Sequence, residues 1–223
     1  MEHRKDPLRE INRWLGWGDP DAGLWFVGIE EGAKFSPLKI AAMRGRRYSP
    51  VLEVRERRSP IALRTAKIVC QLAGTEDARE YARARMGWPG SKVFNANLFP
   101  IGKPSLSAWP NNYKRLLGVT RAEYPARCDT LYAERAAFFR QLRADRQPQA
   151  VICFGKSCWT RFEEVFVRAS ARPRRPDRTL DILAYESDRV ILTPHFSRGS
   201  LMRNAAVDCV VTILRQWNIN LPG

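Results

Sequence analysis

Three residues capable of acid–base or hydrogen-bonding chemistry sit at the ends of, or inside, strongly apolar runs. Glu30, with Glu31 beside it, closes Leu24-Trp25-Phe26-Val27-Gly28-Ile29. Asn95 lies within Val93-Phe94-Asn95-Ala96-Asn97-Leu98, and His195 follows Val190-Ile191-Leu192-Thr193-Pro194. A carboxylate can stabilise a developing cation or orient water, and an imidazole can donate to a developing anion. An amide offers both a donor and an acceptor to a ligand's polar edge. Burying a carboxylate is costly, so one placed here needs a partner or a task. Gly28 and Gly32 let the backbone turn sharply and let a ligand approach. The plainer alternatives are solvated loop charges for Glu30 and Glu31, and a hydrogen-bonding structural role for His195. For the asparagines the alternative is bracing of neighbouring backbone, which for Asn97 is the preferred role.

The runs that carry these residues have the length and apolar content of strands buried on both faces. A further strand is expected at Gln149 to Gly155, and Asp188-Arg189 forms the polar lead-in to the last one. Helical periodicity marks Pro7 to Trp17, a helix capped by Ser59-Pro60 and closed by Gly74, and a more polar one over Glu76 to Arg85. Later helices are expected from an Asp129 cap to about Arg146, over Trp159 to Phe166, and from a Ser200 cap through Leu201, Ala205, Val211, Leu214 and Trp217. Lys156-Ser157 mimics the tail of a phosphate-binding loop, but Ala150 stands where that loop needs its first Gly. Strands alternating with helices predict an α/β fold: three layers, α/β/α, around a central four-stranded parallel sheet. In such a sheet ligands bind beyond the carboxyl ends of the strands, where Glu30, Asn95 and His195 would converge.

The chain has 223 residues, 44% of them hydrophobic, enough for one domain with a sizeable core. Lys and Arg number 38 against 23 Asp and Glu, a net charge of +15 that favours a polyanionic partner, nucleic acid first. Two basic loops stand out, at about 33–58 and 168–178. Residues 43–58 hold six Arg, including Arg44, Arg46 and Arg47, against two Glu, and residues 168–178 hold five Arg against one Asp. The first loop either grips phosphates or is a solvated connection; the second is expected to be mobile. Five scattered cysteines without a Cys-x-x-Cys pair suit reduced, mostly buried thiols, and with only His3 and His195 no metal centre or other cofactor is expected. The first residues have no apolar run, and nothing approaches the ~18 apolar residues of a membrane span. A cytoplasmic monomer with no membrane association is expected.

The order of the motifs resembles the uracil-DNA glycosylase superfamily across most of the chain. Gly28-Ile29-Glu30-Glu31-Gly32 is similar to its first-strand motif, Gly-x-Asp/Asn-Pro-Tyr/Gly, which positions water. Phe94-Asn95-Ala96 matches the strand whose Asn reads the base, and His195-Phe196-Ser197 the late loop that supports the leaving group. Glu30 stands for Asp or Asn, Glu31 for Pro, and Phe196 for the Pro that follows the His. The resemblance implies a base-flipping hydrolase that cleaves the N-glycosidic bond of a damaged, deaminated or modified base in double- or single-stranded DNA. It implies Glu30 and His195 as catalytic residues, and Gly28, Glu31, Phe35, Asn95 and Ser197 as substrate contacts, with Phe35 stacking on the extruded base unless it is a packed loop residue. Arg44, Arg46, Arg47 and Arg198 would contact DNA, with Arg198 near the family's wedge position. By the same analogy the role is base excision, in repair or in defence against modified phage DNA. The rivals are a non-catalytic nucleic-acid binder with the same fold, and an enzyme of small nucleosides, against which the net charge counts.

Overall fold

A computed structural model describes residues 6–30, 43, 46, 48–49, 59–75, 77–86, 91–103, 108–196 and 204–221. The strands are β1 (Gly16–Gly18), β2 (Leu24–Gly28), β3 (Tyr48–Ser49), β4 (Val93–Asn97), β5 (Ala150–Phe154), β6 (Leu183–Tyr185) and β7 (Val190–Thr193). The helices are α1 (Pro7–Asn12), α2 (Pro60–Ala73), α3 (Ala78–Ala84), α4 (Tyr113–Leu117), α5 (Tyr124–Arg146), α6 (Trp159–Phe166) and α7 (Asn204–Gln216). One sheet runs β3-β1-β4-β2-β5-β7-β6. Its centre, β4-β2-β5-β7, is parallel throughout, while β1 joins β4 and β6 joins β7 in antiparallel fashion. The α/β class therefore holds, but the sheet is mixed and larger than the four strands expected. Its additional strands have two or three residues each, too short for periodicity to reveal.

Alternate residues of the central strands enter two separate cores. Leu24, Phe26, Ile152 and Ile191 pack with α2, α3 and α7 on one face. Trp25, Val27, Val151, Cys153 and Leu192 pack with α6 and the later turns of α5 on the other. The period of two along each strand thus builds a helix–sheet–helix sandwich.

Several boundaries differ from expectation for local reasons. The first helix stops at Asn12, because Gly16-Trp17-Gly18 pairs with β4 as an edge strand. Gly16 permits this: a Cβ there would lie 1.9 Å from the Asn95 carbonyl oxygen. Asp129 does not cap α5 but lies inside it, because the helix starts at Tyr124 with Pro125 in its first turn. Ala205 is exposed and Ala206 takes the buried place on α7, while Ser200 and Leu201 fall outside the described residues. Ser59 caps α2 by accepting from the Ala62 N–H, and Gly74 ends it at φ 67°, as the sequence predicts. Among the described residues no helix is long and apolar enough to cross a membrane.

Candidate active-site crevice

Chain order and sheet order together define where a ligand would enter. From β2 the chain passes through α2 and α3 on one face to β4, on one side of β2; β5 then lies on the other side and is followed by α6 on the opposite face. The connections leaving β2 and β5 thus diverge, which opens a crevice at their carboxyl ends, the topological switch point of such sheets. Register brings four strand ends level: Gly28 opposite Asn97 and Phe154, and Phe154 opposite Thr193. Glu30 emerges two residues past β2 and His195 two residues past β7.

Glu30 is fixed by backbone first. Leu98 N–H donates to the Gly28 carbonyl and Phe99 N–H to the Ile29 carbonyl, each at 2.7 Å, so β4's exit runs alongside the turn carrying the acid. That exit is held from beneath by Arg135 of α5, only 1% exposed. Its guanidinium donates to the Leu98 and Asn97 carbonyls at 2.6 Å and to the Asn12 carbonyl. Burial pulls Arg135 down to about 9, which leaves it charged at neutral pH.

The Glu30 carboxylate meets Lys103, whose Nζ is 3.3 Å from Oε2, with the two side chains only 7% and 8% exposed. Burial pushes the Glu30 carboxyl up to about 7, and Lys103 partly opposes that rise. The acid therefore titrates near neutrality, the range that suits a general acid or base. Lys103 Nζ also lies 4.9 Å from the Tyr124 ring centroid, within cation–π range. Tyr113 fixes the loop by donating its hydroxyl to the Gly102 carbonyl, and Ile101 is fully buried.

The opposite flank is aromatic. Phe196 stacks on Phe154 at 4.5 Å and 13°, and the His195 ring meets Phe154 edge-on at 5.7 Å. Phe196 thus anchors the loop in the core. Arg64 of α2 donates to the Phe196 carbonyl. Burial, with the Arg64 charge, holds His195 below its ordinary value, so the imidazole is neutral at pH 7. Gly155, at φ 128°, lies where the flanks meet: a Cβ would be 2.5 Å from Ile29 Cδ1 and 3.8 Å from His195 Cδ2.

Of the residues singled out by sequence, Gly28, Glu30 and His195 come to this crevice. The space over Gly28 is taken by neighbours, since a Cβ there would fall 2.7 Å from the Phe154 ring and 2.9 Å from Asn97 Oδ1. Asn95 lies one pleat deeper, paired in register with Phe26 and Trp17, and its Nδ2 is buried without a hydrogen-bond partner. Asn97, assigned a bracing role by sequence, is the asparagine at the crevice. Arg46 is exposed. Glu31, Phe35, Arg44, Arg47, Ser197 and Arg198 lie outside the described residues. Sequence reading missed Lys103, Tyr124, Arg135 and Arg64. Lys103 had one available signal, a cation in the Pro/Gly loop directly after the second core strand. No family model matches the chain, and no curated protein matches it significantly.

Proposed function

We propose that the protein is a base-excising N-glycosyl hydrolase acting on DNA, of the uracil-DNA glycosylase type. The observation that carries the reading is the pairing of a buried, near-neutral acid after β2 with a neutral imidazole after β7 around one crevice. Hydrolysis of an N-glycosidic bond develops positive charge on the sugar and negative charge on the departing base. In its ionised form Glu30 stabilises the sugar and orients the attacking water, and His195, neutral at working pH, donates a hydrogen bond to the base. Water adds to C1′ as the C1′–N bond breaks; the water's proton goes to Glu30 or solvent, and the base leaves with the bonding pair.

Base reading is assigned to the asparagines of β4, with Asn97 first, because its register with Gly28 places it at the crevice. Asn95 is the second candidate on account of its unpartnered amide nitrogen. The net charge of +15 supports DNA as the polyanion that brings the base in.

The test is incubation with short duplexes and single strands that each carry one altered base, read as abasic sites. Product from the wild-type protein, lost in Glu30→Gln, is expected. Binding of DNA without product from any substrate, and indifferent to Glu30→Gln, would favour the non-catalytic nucleic-acid binder. Asn97→Asp should reorder base preference, because it replaces an amide donor by acceptors. A uniform loss on all bases with a lower Tm would make Asn97 structural.

A further inference from the structure

Lys103 is a second charge in the crevice, and its surroundings look built to hold it. Enclosing two ions costs several kcal/mol each unless their geometry and further contacts compensate. Here the loop is tied by Tyr113 through Gly102, and the ammonium sits between the Glu30 carboxylate and the Tyr124 ring. Structural anchoring of this region is already provided by Arg135, which binds three backbone carbonyls. We propose that Lys103 is the positioning residue for Glu30: it grips Oε2, fixes the plane of the carboxylate, and supplies the charge that offsets its burial. The proposal rests on the reading of Glu30 as the acid that works on substrate.

Among the described residues, the other groups facing Glu30 do not supply this charge. From α5 come Tyr124 and Cys128, both raised by burial and so neutral, Cys128 to about 11. From the segment after β5 comes Cys158, also raised by burial. Arg135 acts on Tyr124 and Cys128, whereas among the described residues Lys103 is the cation that acts on Glu30 itself. An opposite charge at such range ordinarily lowers a carboxyl pKa by about 1–3 units. Removing the lysine would therefore leave Glu30 protonated through the neutral range and unable to assist the sugar cation.

The experiment follows the Glu30 carboxyl by 13C NMR in glutamate-labelled full-length protein, with Glu30→Gln to assign the signal. In parallel, single-turnover excision is measured against pH on short duplexes carrying one uracil, one 5-hydroxymethyluracil or one 5-hydroxymethylcytosine. Lys103→Met should move the Glu30 inflection upward by about one unit or more, shift the acid limb of the rate profile with it, and slow excision at pH 7 by about fivefold or more. Lys103→Arg should restore most of both. Should Lys103→Met not fold, Tyr124→Leu removes the ring beneath the ammonium, leaves both charges, and should move the inflection by a smaller amount in the same direction. A folded Lys103→Met whose Glu30 inflection is unmoved overturns the proposal. So does a borohydride-trapped adduct between DNA and Lys103, which would make the amine a nucleophile. If the inflection moves as expected while no duplex yields product, the charge-setting role stands and the hydrolase reading falls.

Discussion

The two flanks of the crevice hold their polar groups by opposite means. On the β2–β4 flank, Glu30, Lys103 and Arg135 are 9%, 7% and 1% exposed, and each charge is met by another charge, an aromatic face or carbonyl oxygens. On the β7 flank His195 is half-buried and set by ring packing, with Phe154 beside it and Phe196 behind. Burying charge is costly, so the first flank depends on a complete set of partners. Packing of neutral rings makes fewer demands, so the second depends on shape. The consequence is a division of protonation: one flank changes charge around neutrality, and the other stays uncharged there.

The largest effect should come from taking the working group off each flank. Glu30→Gln should slow single-turnover excision by about 10²–10⁴-fold and His195→Ala by nearer 10²-fold, with folding retained. Equal losses in the two variants, accompanied by equal falls in Tm, would erase the distinction between a charged and a packed flank.

Next in size is the support beneath the charged flank. Arg135→Met strips three carbonyls of their donor inside the protein, so urea unfolding should show a loss of roughly 3 kcal/mol or more. A loss below that of an ordinary surface substitution would mean that the carbonyls find other donors.

The flanks should also respond to pH with opposite slopes. Glu30 has a folded pKa of about 7, above its unfolded value of 4.5, so its protonated form favours the folded state. Its contribution to stability is therefore full below pH 4.5 and lost as pH rises to about 7, by on the order of 3 kcal/mol. His195 is depressed below 6.5, so its contribution is present above 6.5 and is lost as pH falls through the acid range. Wild type minus Glu30→Gln, and wild type minus His195→Ala, measured by urea unfolding from pH 4 to 8, should slope in contrary directions. Slopes of the same sign would refute the assignment.

The smallest effect should be at Arg64. It is half-buried and ties the His195 loop by donating to the Phe196 carbonyl, so Arg64→Ala should cost about 1 kcal/mol. The imidazole's inflection, followed by NMR, should rise toward 6.5 as a nearby cation is removed.

The central architecture was legible because burial on both faces leaves unbroken apolar runs: Leu24 to Gly28, Val93 to Asn97, Ala150 to Phe154 and Val190 to Thr193 are the parallel strands. Edge strands carry no such mark, and Leu183–Tyr185 reads like any short apolar stretch. The positions of Glu30 and His195 just past β2 and β7 were legible because each follows an unbroken apolar run. Lys103 offered only its place in the loop after β4, and Arg135 no signal at all, because their significance lies in contacts made across 73 and 37 residues of chain, with Glu30 and with the Leu98 carbonyl. Sequence could not rank the two asparagines, since Asn95 and Asn97 share one face and only register sets Asn97 level with Gly28 at the crevice and Asn95 one pleat deeper. Net charge was the bluntest instrument. Arg64, Arg135, Arg143, Arg189 and Arg215 each donate to backbone carbonyls, so part of the arginine excess is internal bracing.

Gly155 gives the comparison a mechanical side. The two flanks can be changed chemically one residue at a time, but the distance between them is set by a hydrogen atom where any other residue has a carbon. A methyl group at that position would act as a shim, driven between Ile29 on the acid's turn and the backbone that faces His195. A single-nucleotide change would thus press on the acid's turn through Ile29 and bring a carbon to contact distance of the His195 ring, without replacing any group that titrates. In this molecule the gauge of the crevice and the charges that line it are separately heritable.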